Sequence, residues 1–192
     1  MKINNEKIEK NLSDIENNFK TLNNRYYLKL IEDAALMIVN SIKKKNKIIF
    51  CGNGGSASDG EHLCAELVGR YLKKRKAYPA IALTGNSSLV TALGNDYGFE
   101  NIFYRQIESI GKKGDILFAI TTSGESKNIL KILKLVKKKG IKVILLTSIK
   151  AKNLKNKVDL IIPVPSKRVD RIQEMHIGIG HIICEIVENC IN

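Results

Sequence analysis

Five short apolar runs, most of them separated by helical stretches, predict a doubly wound α/β fold: one five-stranded parallel sheet covered by helices on both faces. The runs are Ile48–Cys51, Ala80–Leu83, Ile116–Ile120, Val143–Leu146 and Leu160–Ile162, with Gly, Pro, Asn or Asp close by. Helical periodicity fills the chain before the first run, and an apolar helix follows the last. No internal repeat, low-complexity tract or linker divides the 192 residues. Residues 1–192 therefore read as a single domain, with a helical N-terminal segment over 1–45 and the α/β core over 46–192.

Taken in order, the elements have separate reasons. Ile8, Leu12, Ile15, Phe19, Leu22 and Tyr26 recur at alternating spacings of four and three, which makes one apolar seam on a helix. Leu28, Ile31, Ala35, Ile38 and Ile42 make a second seam, out of phase with the first. So much helix ahead of a small sheet exceeds what covering it requires, and the surplus reads as an oligomer interface. Continuous apolar strands follow, as expected where both faces of a parallel sheet are covered. The last segment, Asp170–Cys190, carries Ile172, Met175, Ile179, Ile182, Ile183, Ile186 and Val187. A helix that apolar must pack on the sheet or on another subunit.

Composition narrows the function classes. The net charge is +13, but the lysines are spread along the chain. The runs Lys43–Lys45, Lys73–Lys76 and Lys137–Lys139 fall where helices end, a position that suits cations. No aromatic residues interleave with them to stack on bases, so a nucleic-acid partner is not expected. A basic field does draw in anionic small molecules. The opening Met1–Asn11 is polar, and no apolar run approaches the roughly 20 residues that span a bilayer. Cys51, Cys64, Cys184 and Cys190 stand singly, without paired metal or redox spacing. A cytoplasmic protein without a membrane partner is the expectation.

Ligands of such sheets bind beyond the carboxyl ends of the strands, and two loops stand out there. Gly52-Asn53-Gly54-Gly55-Ser56-Ala57-Ser58 follows the first strand and opens a helix. Its glycines allow close backbone approach, and helix N-terminal N–H groups favour anions. It formally fits a dinucleotide fingerprint, but the acidic residue expected after the next strand is replaced by Thr84-Gly85-Asn86. A tight strand-to-helix turn explains the loop equally well. Thr121-Thr122-Ser123-Gly124-Glu125-Ser126 follows the third strand. Its four hydroxyls suit a phosphate, although Ser126 alone would serve as an ordinary helix cap. Two such loops at neighbouring strand ends point to a phosphorylated substrate that is polar at both ends.

Chemistry-bearing residues are few. His62 and Glu66 are four apart and share a helix face, a spacing for a divalent metal, an acid–base pair or a surface pair. His181 lies among isoleucines and also reads as a core histidine. Gln173 falls in the first turn of the same helix. Gly94-Asn95-Asp96-Tyr97-Gly98 reads as a turn-like cluster.

In combination and in order, several motifs resemble the sugar isomerase (SIS) domain family, and within it the phosphoheptose isomerase branch. They are Cys51-Gly52-Asn53-Gly54-Gly55-Ser56, Glu61-His62-Leu63-Cys64-Ala65-Glu66-Leu67, Gly69-Arg70-Tyr71, Gly94-Asn95-Asp96-Tyr97-Gly98-Phe99, Thr122-Ser123-Gly124 and Arg171-Ile172-Gln173-Glu174-Met175-His176. The resemblance runs from the first strand to the C-terminus, and the N-terminal helices agree in kind. It implies one zinc per active site, held by His62, Glu66, Gln173 and His181. It implies sugar-phosphate contacts from Asn53, Gly54, Gly55, Ser56, Glu66, Asn95, Asp96, Thr121, Thr122, Ser123, Ser126 and Gln173. Thr121 stands where the family commonly has serine, which keeps the hydroxyl.

Glu66 and His181 would be the catalytic pair of an aldose–ketose isomerase. The implied reaction converts D-sedoheptulose 7-phosphate to D-glycero-D-manno-heptose 7-phosphate, in a homotetramer with active sites shared between subunits. The product would begin nucleotide-activated heptose synthesis for surface polysaccharide. A relative of the same fold is instead a tetramer that binds the bacterial replication initiator. It shares the Arg171–His176 stretch but lacks the counterparts of Glu66 and His181, so their presence here favours the enzyme. One geometric tension remains. Gln173 and His181 are eight residues apart on one helix, a rise of about 12 Å, too far for bonds of about 2 Å to one ion. The expected resolution is a metal site supplied by two subunits.

Overall fold

Asn24 divides the helical N-terminus in two. Its side-chain oxygen accepts hydrogen bonds from the backbone N–H groups of Tyr26 and Tyr27, which ends α1 (Asn5–Leu22) and starts α2 (Arg25–Lys43). Tyr26 thus belongs to the second helix, not to the seam of the first as its spacing predicts. The computed structural model describes residues 5–191, so residues 1–4 and 192 of the expected domain lie outside the described residues.

The apolar runs become β1 (Ile48–Cys51), β2 (Ala80–Ala82), β3 (Ile116–Ile120), β4 (Lys142–Ser148) and β5 (Leu160–Val164). All four pairings are parallel, in the order β2-β1-β3-β4-β5. The connecting helices are α3 (Gly55–Val68), α4 (Ser87–Tyr97), α5 (Ile102–Ile110) and α6 (Lys127–Lys138), and α7 (Val169–Ile191) closes the chain. Side-chain alternation along the strands sorts the core into two layers. Ile48, Phe50, Phe118 and Ile144 pack with α2, α3 and α7. Ile49, Leu117 and Leu145 pack with α5 and α6 on the other face. Chain order reverses between β1 and β3, which opens a crevice at their carboxyl ends.

Two features position the site. Helices α3 and α7 run side by side in the same direction: Gly55 lies against Gln173, and Leu63 against Gly180. A Cβ at residue 180 would come within 2.5 Å of Leu63, so the close contact needs glycine there. Second, Asn95 and Asp96 lie in the last turn of α4 rather than in a turn. Asn86 caps that helix by accepting from Leu89 N–H, and Gly98, at φ 82°, ends it. The apolar residues of this helix are too few for the periodicity to stand out in the sequence.

Candidate active site

The crevice is built from the two loops that the sequence singles out. Cys51 pairs with Ala119 at the ends of β1 and β3, so the chain leaves both strands at one level. The first loop turns sharply: a Cβ at residue 52 would lie 2.3 Å from the Ser56 carbonyl oxygen. Gly54, at φ 55°, precedes α3 and supplies no side-chain cap. In the second loop the Ser126 hydroxyl does not cap α6 either. It pairs with Thr121 Oγ1 at 3.1 Å, and that oxygen also accepts from Gly124 N–H. The capping role that would make this loop ordinary is therefore not the one Ser126 plays. Two helix N-termini without a capping side chain from the N-cap residue face one crevice, and the positive end of a helix suits an anion.

A reciprocal amide pair ties the loops together. Asn53 Nδ2 donates to Asn128 Oδ1 at 3.0 Å, and Asn128 Nδ2 donates back to Asn53 Oδ1 at 2.8 Å. Asn128 is buried and absent from the residues expected from sequence. Its only sequence signal is its place in the first turn of α6. Both asparagines line an open cavity of about 610 Å³ with Tyr97, Gly98, Phe99, Glu100, Ser126 and Lys127. Thr122 is half-buried and Ser123 exposed. Thr121 and Ser56 are buried, at 4% and 3% exposure, so they build the loops from within.

Farther along α3, the metal-ligand candidates meet in one chain. Glu66 Oε1 lies 3.1 Å from His62 Nε2, and the His181 ring stands edge-on to His62 with centroids 4.9 Å apart. Ligating atoms of the three residues lie within 4.8 Å of one another. Two imidazoles and a carboxylate at that separation are a donor set that suits a divalent metal ion. Gln173 does not join them. Its amide packs against Gly55, two turns of helix before His181, at the end of the helix pair that opens on the loops.

The comparisons decide the family. A family model described as SIS domain matches residues 15–148, well over half of the chain. Among curated relatives, the phosphoheptose isomerase of Nitratiruptor sp. is 49% identical over 158 residues, covering 82% of this chain and 84% of that one. That of Clostridium acetobutylicum is 45% identical, covering 92% and 90%. A solved phosphoheptose isomerase from Francisella tularensis superposes with a TM-score of 0.91 at 35% identity, covering 96% of this chain and 97% of that one. This chain belongs to the SIS domain family, among the phosphoheptose isomerases.

As a SIS domain, the chain sets its remaining polar residues around the two centres. Asn95 and Asp96 are exposed and bonded to each other at 2.9 Å, immediately before the Tyr97–Phe99 wall of the cavity. Tyr71 stacks on His181, with centroids 5.8 Å apart and planes at 30°. Asp59, one turn before His62, was not expected from sequence, although its i, i+3 spacing to His62 is a signal. Burial pushes its carboxyl up to about 6, against the pull of His62. Its Oδ2 is buried and without a hydrogen-bond partner among the described residues. The third histidine, His176, is the core histidine of the SIS domain: it is fully buried, with Nε2 3.1 Å from the Thr147 carbonyl oxygen.

Proposed function

We propose that this SIS domain is a zinc-dependent aldose–ketose isomerase that converts D-sedoheptulose 7-phosphate to D-glycero-D-manno-heptose 7-phosphate. The observation that carries the reading is the convergence within one chain of His62 and Glu66, on the helix that follows the Gly52–Ser58 loop, with His181 of α7. The named activity of relatives at 45–49% identity supports the substrate.

The phosphate sits between the N-termini of α3 and α6, held by the Gly54 and Gly55 backbone and by Thr122, Ser123 and Ser126. Asn53 is fixed for a sugar hydroxyl by Asn128, and Asn95 and Asp96 approach from the end of α4. Gln173, at Gly55, is placed for the substrate rather than for the metal of its own chain. As a fourth metal ligand it would have to come from another subunit, in a homotetramer with shared sites. The uncovered apolar face of α1, with Ile8 at 50% and Leu12 at 60% exposure, supports such an assembly.

Bound at His62, Glu66 and His181, zinc would polarise the carbonyl and offset charge on the enediolate oxygens. Glu66 removes the proton from C1 of the ketose and returns it to C2. His181 moves the proton between the two oxygens, so that the C2 carbonyl becomes a hydroxyl and the C1 hydroxyl becomes an aldehyde. Tyr71 limits the rotation of His181 by stacking on it. The product would enter nucleotide-activated heptose synthesis for surface polysaccharide, in the cytoplasm, where four unbridged cysteines are at home.

Replacing Glu66 by Gln tests the assignment. Metal-loaded wild type should form the aldose phosphate, and E66Q should turn over about 10² to 10⁴ times more slowly with unchanged circular dichroism. A folded E66Q as active as wild type would refute it, and a chain that only binds a protein partner would show no turnover in either form.

A further inference from the structure

Behind the three converging side chains lies a buried ion pair that the reaction does not use. Arg75 Nε donates to Glu188 Oε1 at 2.9 Å, and the two side chains are 2% and 1% exposed. The rest of the guanidinium is spent on backbone. Nη2 donates to the Glu66 carbonyl at 2.7 Å, and Nη1 to those of Leu67 at 2.9 Å and Lys76 at 3.0 Å. Arg75 also lies over the Tyr78 ring, 3.9 Å from its centroid. Glu188 Oε2 accepts the N–H groups of Leu72 at 3.0 Å and Lys73 at 2.9 Å. Burial works against the Glu188 carboxylate, but those N–H groups and Arg75 outweigh it and hold its pKa below the ordinary range.

These contacts join three pieces that each carry part of the site. Glu66 and Leu67 belong to the last turn of α3, whose carbonyls have no partner within the helix. Glu188 belongs to α7, two turns beyond His181. Leu72 and Lys73 lie next to Tyr71, the residue stacked on His181. An exposed pair would contribute little. This one is buried, and its donors and acceptors are matched by charge or backbone, the condition under which loss of one partner is costly.

We propose that Arg75 and Glu188 are positioning residues for the metal site. The pair sets the end of α3 against α7, and so fixes His62 and Glu66 relative to His181, while Tyr71 is held on the imidazole. The inference rests on the metal-site reading above. It adds that the site's geometry is set from the side away from the substrate loops.

The test compares Arg75→Met, Arg75→Lys and Glu188→Gln with wild type at a temperature where all are folded. Zinc affinity is read by competition with a chromophoric chelator, alongside kcat, KM and the His181 ring-proton NMR shifts that report stacking on Tyr71. Arg75→Met should bind zinc at least about tenfold more weakly, the scale seen when residues supporting a metal ligand are lost. Its kcat should fall and the His181 shifts should move, with KM within about twofold because the substrate loops lie at the other end of α3. Arg75→Lys keeps the charge and should recover part of the affinity. If Arg75→Met does not fold, Glu188→Gln decides by the same criterion. A folded variant with wild-type zinc affinity and unmoved His181 shifts overturns the proposal while leaving the isomerase reading intact. A wild type that neither binds zinc nor isomerises removes both.

Discussion

His62, His176 and His181 differ more in surroundings than in sequence, and their surroundings decide what each does. His62 and His181 face a carboxylate and each other at a partly open site. His176 is sealed in the core, and burial pushes its pKa from 6.5 down to about 4, although the Thr147 carbonyl pulls the other way. The fold thus keeps this imidazole neutral while the unfolded chain protonates it. Its contribution is complete above pH 6.5 and is lost as pH falls toward 4. Urea unfolding should show up to about 3 kcal/mol of acid destabilisation from this residue, absent from His176→Gln if that variant folds. By sequence alone His181, among isoleucines, reads as a core histidine; it is His176 that the fold buries. Spacing shows that a residue lies on a helix but not which neighbours come from elsewhere in the chain. His181 became a ligand candidate only through family resemblance, and its ring contacts with His62 and Tyr71 now give a physical reason.

At the scale of elements, the strands were legible because buried parallel strands are continuous apolar runs, and each predicted run lies at its observed strand to within about two residues. The phosphate-type loops were legible as glycine and hydroxyl clusters. Their coupling was not, because the Asn53–Asn128 pair spans 75 residues of sequence. Nor was the parallel course of α3 and α7, which puts Gln173 beside Gly55 and leaves His181 beside His62. Within one chain His62, Glu66 and His181 come together while Gln173 lies at Gly55, which leaves both outcomes of the two-ligand tension standing: a shared site, or a ligand set without Gln173. The first loop makes an element-scale prediction. Gly52→Ala drives a Cβ to 2.3 Å from the Ser56 carbonyl oxygen, which is backbone and has little room to yield. It should cost about 1–3 kcal/mol of stability, read by urea unfolding. KM for the sugar phosphate should rise by about tenfold or more, because the start of α3 must shift.

On the scale of the whole molecule, the sheet carries two centres at different heights on one helix. The glycine and hydroxyl loops sit at the carboxyl ends of β1 and β3, and the His62–Glu66–His181 group, which could hold a metal ion, lies two turns along α3. Among the described residues, no helix is long and apolar enough to cross a membrane. The apolar residues of α1 that remain exposed, Ile8 and Leu12 among them, are the face on which the proposed homotetramer would assemble. Leu12→Lys places a charge on that face at a position 60% exposed in the single chain. Sedimentation velocity should find a tetramer for wild type and smaller species for the variant. A variant with the wild-type sedimentation coefficient would clear α1 of that role. The most direct test of the account is isomerisation itself, followed by NMR with zinc-loaded protein and sedoheptulose 7-phosphate in deuterated water. The account predicts an aldose phosphate, with deuterium at C2 in proportion to exchange of the proton held on Glu66 with solvent before it is delivered. Zinc-loaded, folded protein that forms no aldose phosphate would contradict it.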